Sequence, residues 1–390
     1  MQNSTAEWIS PAWWEAGTVQ PLPLLSKLRL HTIAFVTDRR PSAAVALAAK
    51  FNPAVQILVL APRAQREHVL ALNVSWADSD VQPNLWDNWN ATYRQGAPGA
   101  RGYHHFCHMR WLTVAAHLRA WPMPADGAIA VVDDDVLLFE DVDSRLREAA
   151  AFHPTAQAEV VVSGAFLLAS AGALARFAAF LWALYALPVH VFTPIVWRFG
   201  EHRTLAGLNK RDRLRIDPAY HRGARFARFS DMDAIEAFRK LSRETDSANN
   251  VVLPTHLVGG QWAAGYRRPN CAHASKVEKL GLTPAGIAAG LNGEHRNAEA
   301  SAPDSRRLTW REHVPHLQPT GQPLCFLHLQ GPMAKNLLLN PMLREAGIRQ
   351  EQARTSSQQT RPAAAPLAPR PPSVESSHKV LLGISFETFD

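Results

Sequence analysis

Apolar and polar residues alternate in blocks along the first half of the chain, and the blocks predict strands that are followed by helices. The apolar runs are rich in Val, Ile, Leu and Ala, which is typical of buried strands. The predicted elements are strand Leu30–Val36, helix Ser42–Phe51, strand Val55–Leu60, helix Arg63–Leu72, helix His104–Trp121, strand Ala128–Val132, helix Ser144–Phe152 and strand Glu159–Ala169. This order predicts an α/β fold with helices on both faces of a sheet.

The longest apolar stretch covers 177–187 and continues through 188–197. Two prolines and His190 lie in its second part, so a buried helix followed by an extended segment is favoured over a membrane span. Residues 1–17 have neither a basic start nor an apolar run, so no secretory signal is expected. The compartment is open, with the cytoplasm as the default expectation.

The second half of the chain has weaker patterns. The elements predicted there are helix Asp231–Arg243, long loops at Gly259–Ser275 and Asn292–Gln322, and strand Leu324–Leu329. After residue 350 the composition changes to Gln, Ser, Ala and Pro, which is typical of a disordered tail. We therefore expect an N-terminal extension (1–26), one large domain (27–347) and a low-complexity tail (348–390).

Composition excludes several classes of protein. The chain has 390 residues, of which 47% are hydrophobic, so it can bury a sizeable core. Its three cysteines are far apart and form neither a disulfide framework nor a CxxC metal site. The formal net charge is +7, which suits an anionic partner. No zinc-finger spacing or basic helix supports nucleic acid as that partner.

The sharpest chemical feature is the segment AVVDDDVLLF at 130–139, in which three aspartates lie between two apolar runs. Because the first run is a buried strand, the acids emerge at its carboxyl end, where α/β sheets place ligands. Alternation along extended chain puts Asp133 and Asp135 on one side and Asp134 on the other. Neighbouring carboxylates repel, and a divalent cation relieves the repulsion. Metal or substrate binding is favoured over an acidic surface turn.

Two further segments contain residues that suit metal and phosphate. CFLHLQGPMAK places His328 after a short apolar strand and Lys335 beyond it, although a lone histidine there also fits a structural role. FCHMRW places Arg110 on the helix before the acidic strand, where it can pair with surface acids or reach phosphate.

Two segments have an ordinary structural interpretation beside the functional one. In FSDMDAIEAF, Ser230 and Asp233 match a helix capping box. In VVVSGAF, Gly164 either allows a ligand to approach closely or marks the end of a strand.

Taken in order, these segments resemble the GT-A-type nucleotide-sugar glycosyltransferases, and most closely the glycogenin and galacturonosyltransferase-like family. AVVDDDVLLFED resembles the family's DxD motif between apolar runs, and HLQG resembles its late HxxG motif. SGAF resembles the turn under the donor sugar, and SDMDAI falls where the family has an Asp-Gln-Asp element. The resemblance implies a GT-A (Rossmann-like) fold with a mixed, mainly parallel sheet flanked by helices.

The resemblance also implies residue roles. Asp133, Asp135 and His328 would hold Mn²⁺ or Mg²⁺, and Asp231 and Asp233 would lie at the reacting sugar as catalytic residues. Binding of the nucleotide-sugar would involve Thr37, Asp38, Arg110, Asp133, Asp134, Ser163, Gly164, Gly331 and Lys335. The chain departs from the family pattern in two places: Ala334 occupies the family's lysine position, one residue before Lys335, and Met232 replaces its Gln.

The function implied is a metal-dependent hexosyl or related transferase that moves a sugar from a nucleotide-diphosphate sugar to a hydroxyl acceptor. That acceptor would be a glycan, a protein or a small molecule. Two alternatives remain open. Asp-x-Asp at a strand end, a later Ser163-Gly164 and a late acidic pair also resemble haloacid-dehalogenase-like Mg²⁺-dependent phosphatases. A catalytically inactive relative that binds sugar nucleotides is the other alternative.

Overall fold

The elements below come from a computed structural model of the chain. It describes residues 25–80, 83–98, 101–121, 123–124, 126–144, 146–147, 160–163, 166–245, 308–311, 314–317, 322–323 and 326–328. The strands are β1 Arg29–Val36, β2 Gln56–Ala61, β3 Ser75–Asp78, β4 Gly127–Val132, β5 Val136–Leu138, β6 Val160–Ser163, β7 Phe166–Ser170, β8 Glu201–Thr204, β9 His221–Arg222, β10 Arg225–Arg228, β11 Leu308–Arg311, β12 Val314–Leu317, β13 Gln322–Pro323 and β14 Phe326–His328.

Helices fill most of the connections between the strands. They are α1 Ala43–Phe51, α2 Arg66–Leu70, α3 Pro83–Thr92, α4 Arg101–Ala120, α5 Ala171–Ala186, α6 Val189–Phe199, α7 Lys210–Arg215 and α8 Asp231–Thr245. Short 3₁₀ turns occur at Leu25–Lys27, Arg63–Gln65, Leu205–Gly207 and Pro218–Tyr220. Residues 142–144 and 146–147 are also helical.

The largest sheet has the strand order β3-β2-β1-β4-β7-β6. Strands β3, β2, β1 and β4 run parallel, whereas β7 is antiparallel to both β4 and β6. This confirms the expected α/β fold with a mixed, mainly parallel sheet. Three smaller sheets have the orders β8-β10-β9, β11-β12-β13 and β14-β5.

Apolar side chains are buried on both faces of the large sheet. On one face, Ala34, Leu58 and Val131 belong to a single apolar cluster that also contains residues of α4, α5 and α8. Because side chains alternate along a strand, Ile33 and Phe35 point to the opposite face, where they are also buried. Helix α1 contacts β2 and β5, and is buried from Ala43 to Lys50. The helices therefore flank the sheet on both sides, as predicted.

The apolar stretch at 177–187 is a buried helix, as predicted, but the extended segment predicted after it is wrong. Residues Val189–Phe199 form α6, in which Val191, Phe192, Ile195 and Val196 are buried at helical spacing. Pro188 is compatible with a helix start, where backbone N–H groups have no intrahelical partner. Burial of this stripe therefore outweighs the cost of Pro194 within the helix.

Two other sequence expectations need correction. The single strand predicted at 159–169 is the antiparallel pair β6 and β7, in which Ser163 is paired with Phe166. The loop predicted at 292–322 contains β11 and β12, which pair with each other. Isolated four-residue strands leave almost no periodicity for a sequence pattern to detect.

Some expectations fall on residues outside the described ranges: the N-terminal extension up to residue 24, the loop at 259–275 and the C-terminal tail. The domain boundaries stay predictions. Among the described helices, none combines the length and the hydropathy that a membrane crossing requires.

A buried histidine lies within an aromatic cluster between α3, α4 and α5. His108 is fully buried; its Nδ1 is 2.9 Å from the carbonyl oxygen of His104, and its Nε2 is 2.9 Å from the Tyr185 hydroxyl. The rings of Trp89 and Tyr93 pack beside it. Burial lowers the pKa of His108, so the ring is neutral in the folded protein.

We expect the free energy of unfolding to decrease as the pH falls below about 6.5, the ordinary pKa of histidine. Burial lowers the pKa values of His104, His108 and His117, so below that pH the unfolded chain takes up protons that the folded chain excludes. Each excluded proton costs about 1.4 kcal/mol per pH unit. Urea unfolding between about pH 8 and pH 5 measures the effect.

In His108→Gln, the free energy of unfolding should decrease less steeply as the pH falls. The matched control, His68→Gln, changes an exposed histidine on α2 and should leave the decrease as it is. Equal pH dependence in the wild type and His108→Gln would contradict the assignment.

Candidate active site

The acidic segment lies at the carboxyl edge of the large sheet. Asp133, Asp134 and Asp135 connect β4 to β5, and the neighbouring parallel strand β1 ends beside them at Val36. Asp135 is buried, with 8% of its surface exposed. The buried apolar strands on both sides of these acids fix the position of their backbone.

Asp134 is held by the loop that follows β1. The Arg39 guanidinium donates Nε–H and Nη2–H hydrogen bonds to both of its carboxylate oxygens, at 2.9–3.0 Å. The hydroxyl of Thr37 lies 3.4 Å from the Asp134 Oδ2, and the hydroxyl of Ser42 donates to the Asp134 carbonyl oxygen at 2.6 Å. Ser42 also caps α1. Thr37 and Asp134 therefore lie close together, and their roles in binding a nucleotide-sugar stay predictions.

Arg110 joins two acids from distant parts of the chain. Its Nη1 donates to the Asp133 Oδ1, and its Nη2 donates to the Asp231 Oδ2 at 2.7 Å. The indole Nε1–H of Trp111 donates to the same Asp231 oxygen at 3.2 Å. The Arg110 and Asp231 side chains are only 12% and 8% exposed. The guanidinium of Arg110, on α4, therefore neutralises a carboxylate after β4 and another at the start of α8.

Asp233 has a different set of contacts from Asp231. Its Oδ2 accepts hydrogen bonds from the Ser230 N–H and hydroxyl, both at 2.8 Å, and the Ser230 hydroxyl lies 3.4 Å from the Asp233 N–H. This is the reciprocal capping box that the sequence indicates. Burial raises the pKa of Asp233, partly offset by its bonds to Ser230. The carboxylate is therefore a better proton acceptor than an ordinary aspartate.

Two backbone pairings bring distant predicted residues to the same edge. Strand β14 pairs with β5 so that His328 lies opposite Val136, the residue after Asp135. Strands β6 and β4 both pair with β7, and Phe166 is the shared partner of Val132 and Ser163. Ser163 is thus two strands from Val132, about 10 Å away.

The other predicted site residues have no described contact with the acidic segment. Asp38 is exposed and has no hydrogen bond or ion pair to another described residue. Gly164, Gly331 and Lys335 lie outside the described residues, so their predicted contacts with the donor are still predictions.

Three residues at this edge were not predicted. Arg39 follows β1, and a basic residue just after a strand end is the signal that could have indicated it. Trp111, next to Arg110, lies under the guanidinium at 4.3 Å from its ring centre. Tyr103, 56% exposed, has a pKa raised chiefly by Cys107 and also by nearby acids that include Asp135.

Gly96 allows the Asp231 segment to approach α3. Its carbonyl oxygen accepts a hydrogen bond from the Phe229 N–H at 3.0 Å. A Cβ added at Gly96 would lie 2.5 Å from the Tyr220 ring, which is closer than packed atoms tolerate. The absence of a side chain at this position therefore lets the chain before Asp231 close on the site.

A metal ion would need more ligands than the described side chains provide together. Within the described residues, no three His, Cys, Asp or Glu side chains are close enough to hold one. Asp133 and Asp135 supply two carboxylates of the kind that Mn²⁺ and Mg²⁺ prefer, and His328 is next to them by backbone pairing. The donor chemistry thus fits the predicted metal.

A cleft of about 1150 Å³ lies away from this edge, and none of the predicted site residues lines it. His31, Gln56, Arg63, Trp76 and Trp121 are among the residues that line it. The large cleft and the acid cluster are therefore separate features.

Comparisons with known proteins give weak likenesses. No family model and no curated protein matches the chain. Mouse xyloside xylosyltransferase 1, in its apo form, matches with 13% identity and a TM-score of 0.33, over 57% of this chain and 85% of its own. The galactosyltransferase LgtC, in complex with donor and acceptor sugar analogues, matches with 13% identity and a TM-score of 0.29, over 81% and 95%. At such values the likenesses establish neither family nor activity.

We expect Arg110→Gln to lower the free energy of unfolding by about 3 kcal/mol, because it leaves two poorly exposed carboxylates without their cation. Arg39→Gln should lower it by less than about 1 kcal/mol, since Arg39 is 42% exposed and water can replace it. Urea unfolding at neutral pH compares the two variants.

Adding Asp133→Asn to Arg110→Gln should restore part of the loss, because it removes one of the stranded charges. Equal losses in the two single variants would contradict the bridging role of Arg110.

Proposed function

We propose that this chain is a metal-dependent glycosyltransferase that moves a sugar from a nucleotide-diphosphate sugar to a hydroxyl acceptor. The observation that carries the proposal is the pairing of β5 with β14, which puts His328 opposite Val136 and so beside Asp135. Two motifs that resemble a family's metal ligands, far apart in sequence, are thereby neighbours at the carboxyl edge of the sheet.

Asp133, Asp135 and His328 are the proposed metal ligands. When bound there, Mn²⁺ or Mg²⁺ supplies positive charge to the diphosphate that leaves the donor sugar. The Asp133 side chain is 26% exposed, so it is accessible from solvent as well as from Arg110.

Arg110 is the proposed donor of hydrogen bonds to the leaving diphosphate. Its guanidinium bridges Asp133, which follows β4, and Asp231, which begins α8, so it is held at both Nη atoms. A fixed guanidinium meets a developing charge without first having to reorient. Asp231, bound by Arg110 and Trp111, thus acts in the proposal by orienting Arg110.

Asp233 is the proposed proton acceptor. In the transfer step the acceptor hydroxyl oxygen bonds to the sugar's anomeric carbon, while the bond from that carbon to the diphosphate oxygen breaks. The hydroxyl proton passes to Asp233, and the electron pair of the broken bond stays on the diphosphate. The raised pKa of Asp233 supports this role, since a carboxylate with a higher proton affinity is the more effective base.

The phosphatase alternative has less support. Its acidic strand usually opens the fold, whereas three strands of the sheet precede β4 here. That alternative also gives no role to His328, although β14 lies directly beside β5. We therefore retain it only as an outcome of the first experiment below.

We expect the melting temperature to rise when Mn²⁺ and one nucleoside diphosphate are added together, and neither alone to have the full effect. A ligand present at about 100 times its Kd stabilises the fold by about 2.7 kcal/mol. Asp135→Asn should abolish the joint shift, whereas Asp87→Asn, at an exposed position on α3, should preserve it.

A shift with Mg²⁺ and beryllofluoride but with no nucleotide would contradict the transferase and support the phosphatase. A joint shift without sugar transfer from any nucleotide-sugar would indicate the inactive relative.

We expect His328→Ala to weaken Mn²⁺ binding by at least about tenfold while the protein keeps its melting temperature. Manganese titration followed by electron paramagnetic resonance measures the affinity directly. His190→Ala removes an exposed histidine at the start of α6 and is the control. Unchanged Mn²⁺ affinity in His328→Ala would exclude the imidazole from the metal site.

A further inference from the structure

A small antiparallel sheet next to the site has an excess of positive charge. It consists of β8, β10 and β9, and is called the basic hairpin sheet below. Segment 198–228, which contains it, has nine Lys or Arg and three Asp or Glu residues. The acids already have partners: Glu201 contacts two arginines, Asp212 accepts from Asn209, and Asp217 lies 3.8 Å from Arg94. The excess of arginine is therefore left to face solvent.

Two arginines face each other across this sheet. Arg222 of β9 and Arg225 of β10 are directly paired, so their side chains leave the same face of the sheet. The connection between them is a two-residue turn in which Gly223 has a φ of +59°, a value that glycine adopts without strain. Like charges in such a pair destabilise a sheet, and an anion bound between them would relieve the repulsion.

Neither of the two guanidinium groups has a hydrogen bond or ion pair to another described residue. Arg222 does lie over the ring of Trp197, at 4.7 Å from its centre, and the His202 ring packs on the same indole at 4.7 Å. Trp197 therefore orients Arg222 while its donors stay available. Both arginines are exposed, so an external anion can reach them.

The strand that carries Arg225 leads directly into the proposed reaction centre. Strand β10 ends at Arg228, and α8 begins at Asp231, which contacts Arg110. The Cα atoms of Arg225 and Arg228 are about 10 Å apart along the strand. A ligand that follows this strand from Arg228 to the paired arginines therefore spans more than one sugar ring.

We propose that the basic hairpin sheet binds acidic groups of the acceptor, and that the acceptor is an acidic oligosaccharide. This inference rests on the proposed function, because it takes the reacting hydroxyl to lie at Asp233. Arg222 and Arg225 donate paired hydrogen bonds to carboxylates on sugar rings beyond the one that reacts. The two arginines thus select the acceptor by its charge, at sugar rings other than the one whose hydroxyl reacts at Asp233.

The test is binding of a fluorescently labelled hexasaccharide of uronic acids, compared with neutral maltohexaose. The full chain should bind the uronate and not the neutral sugar, and added salt should weaken the binding. The double variant Arg222→Gln/Arg225→Gln should lose at least about tenfold in affinity, since hydrogen bonds to charged groups are lost. Two control variants should keep the affinity for the uronate. Arg66→Gln removes one exposed arginine on α2, and Arg63→Gln/Arg66→Gln removes the same charge as the double variant.

Three results would overturn the proposal: no uronate binding, equal binding of the neutral sugar, or equal affinity in the double variant and its matched control. Binding to phosphatidylglycerol vesicles without binding to the hexasaccharide would also overturn it in favour of a membrane surface. Because the nucleotide measurement does not involve this sheet, the two proposals fail separately. A failed nucleotide shift with arginine-dependent uronate binding removes the transferase and leaves a saccharide surface.

Discussion

The arrangement at the sheet edge depends on the neutralisation of carboxylates that a buried strand holds in place. Strand β4 is completely buried, so the three aspartates that follow it cannot move apart to relieve their repulsion. Arg39 compensates Asp134, and Arg110 compensates Asp133 while it also holds Asp231. These ion pairs join the loop after β1, helix α4 and the start of α8 to one point. Charge balance at three residues thus determines how otherwise separate elements meet.

The central part of the fold follows from local patterns. Strands β1, β2 and β4 lie in short apolar runs, and helix α5 lies in a long one, so the length of the run distinguishes strand from helix. The local pattern fails where tertiary packing opposes it. Pro194 argues against a helix, yet α6 forms because its apolar stripe packs into the core. Propensity is a weak guide when tertiary packing opposes it.

The residue types of the candidate site are visible in the sequence, but their contacts are not. Three aspartates between apolar runs are visible in the sequence because charged residues rarely interrupt such runs. The bridge from Arg110 to Asp231 depends on how α4 and α8 pack, which no spacing within either helix encodes. Likewise, nothing in the sequence around Arg39 indicates that it donates hydrogen bonds to both carboxylate oxygens of Asp134. The family resemblance indicates the order of the DxD and HxxG motifs along the chain. The pairing of β5 with β14 brings their backbones together.

That pairing has a consequence for the order in which the protein is made. Strand β5 is complete when residue 138 has been synthesised, whereas its partner β14 ends at His328. During translation the sheet can assemble from N-terminal residues while β5 waits with an unpaired edge. Closing such a long loop is entropically costly and makes formation of the pair a late, slow event. A nascent chain can therefore form the sheet core before His328 and the acidic segment are brought to the same edge.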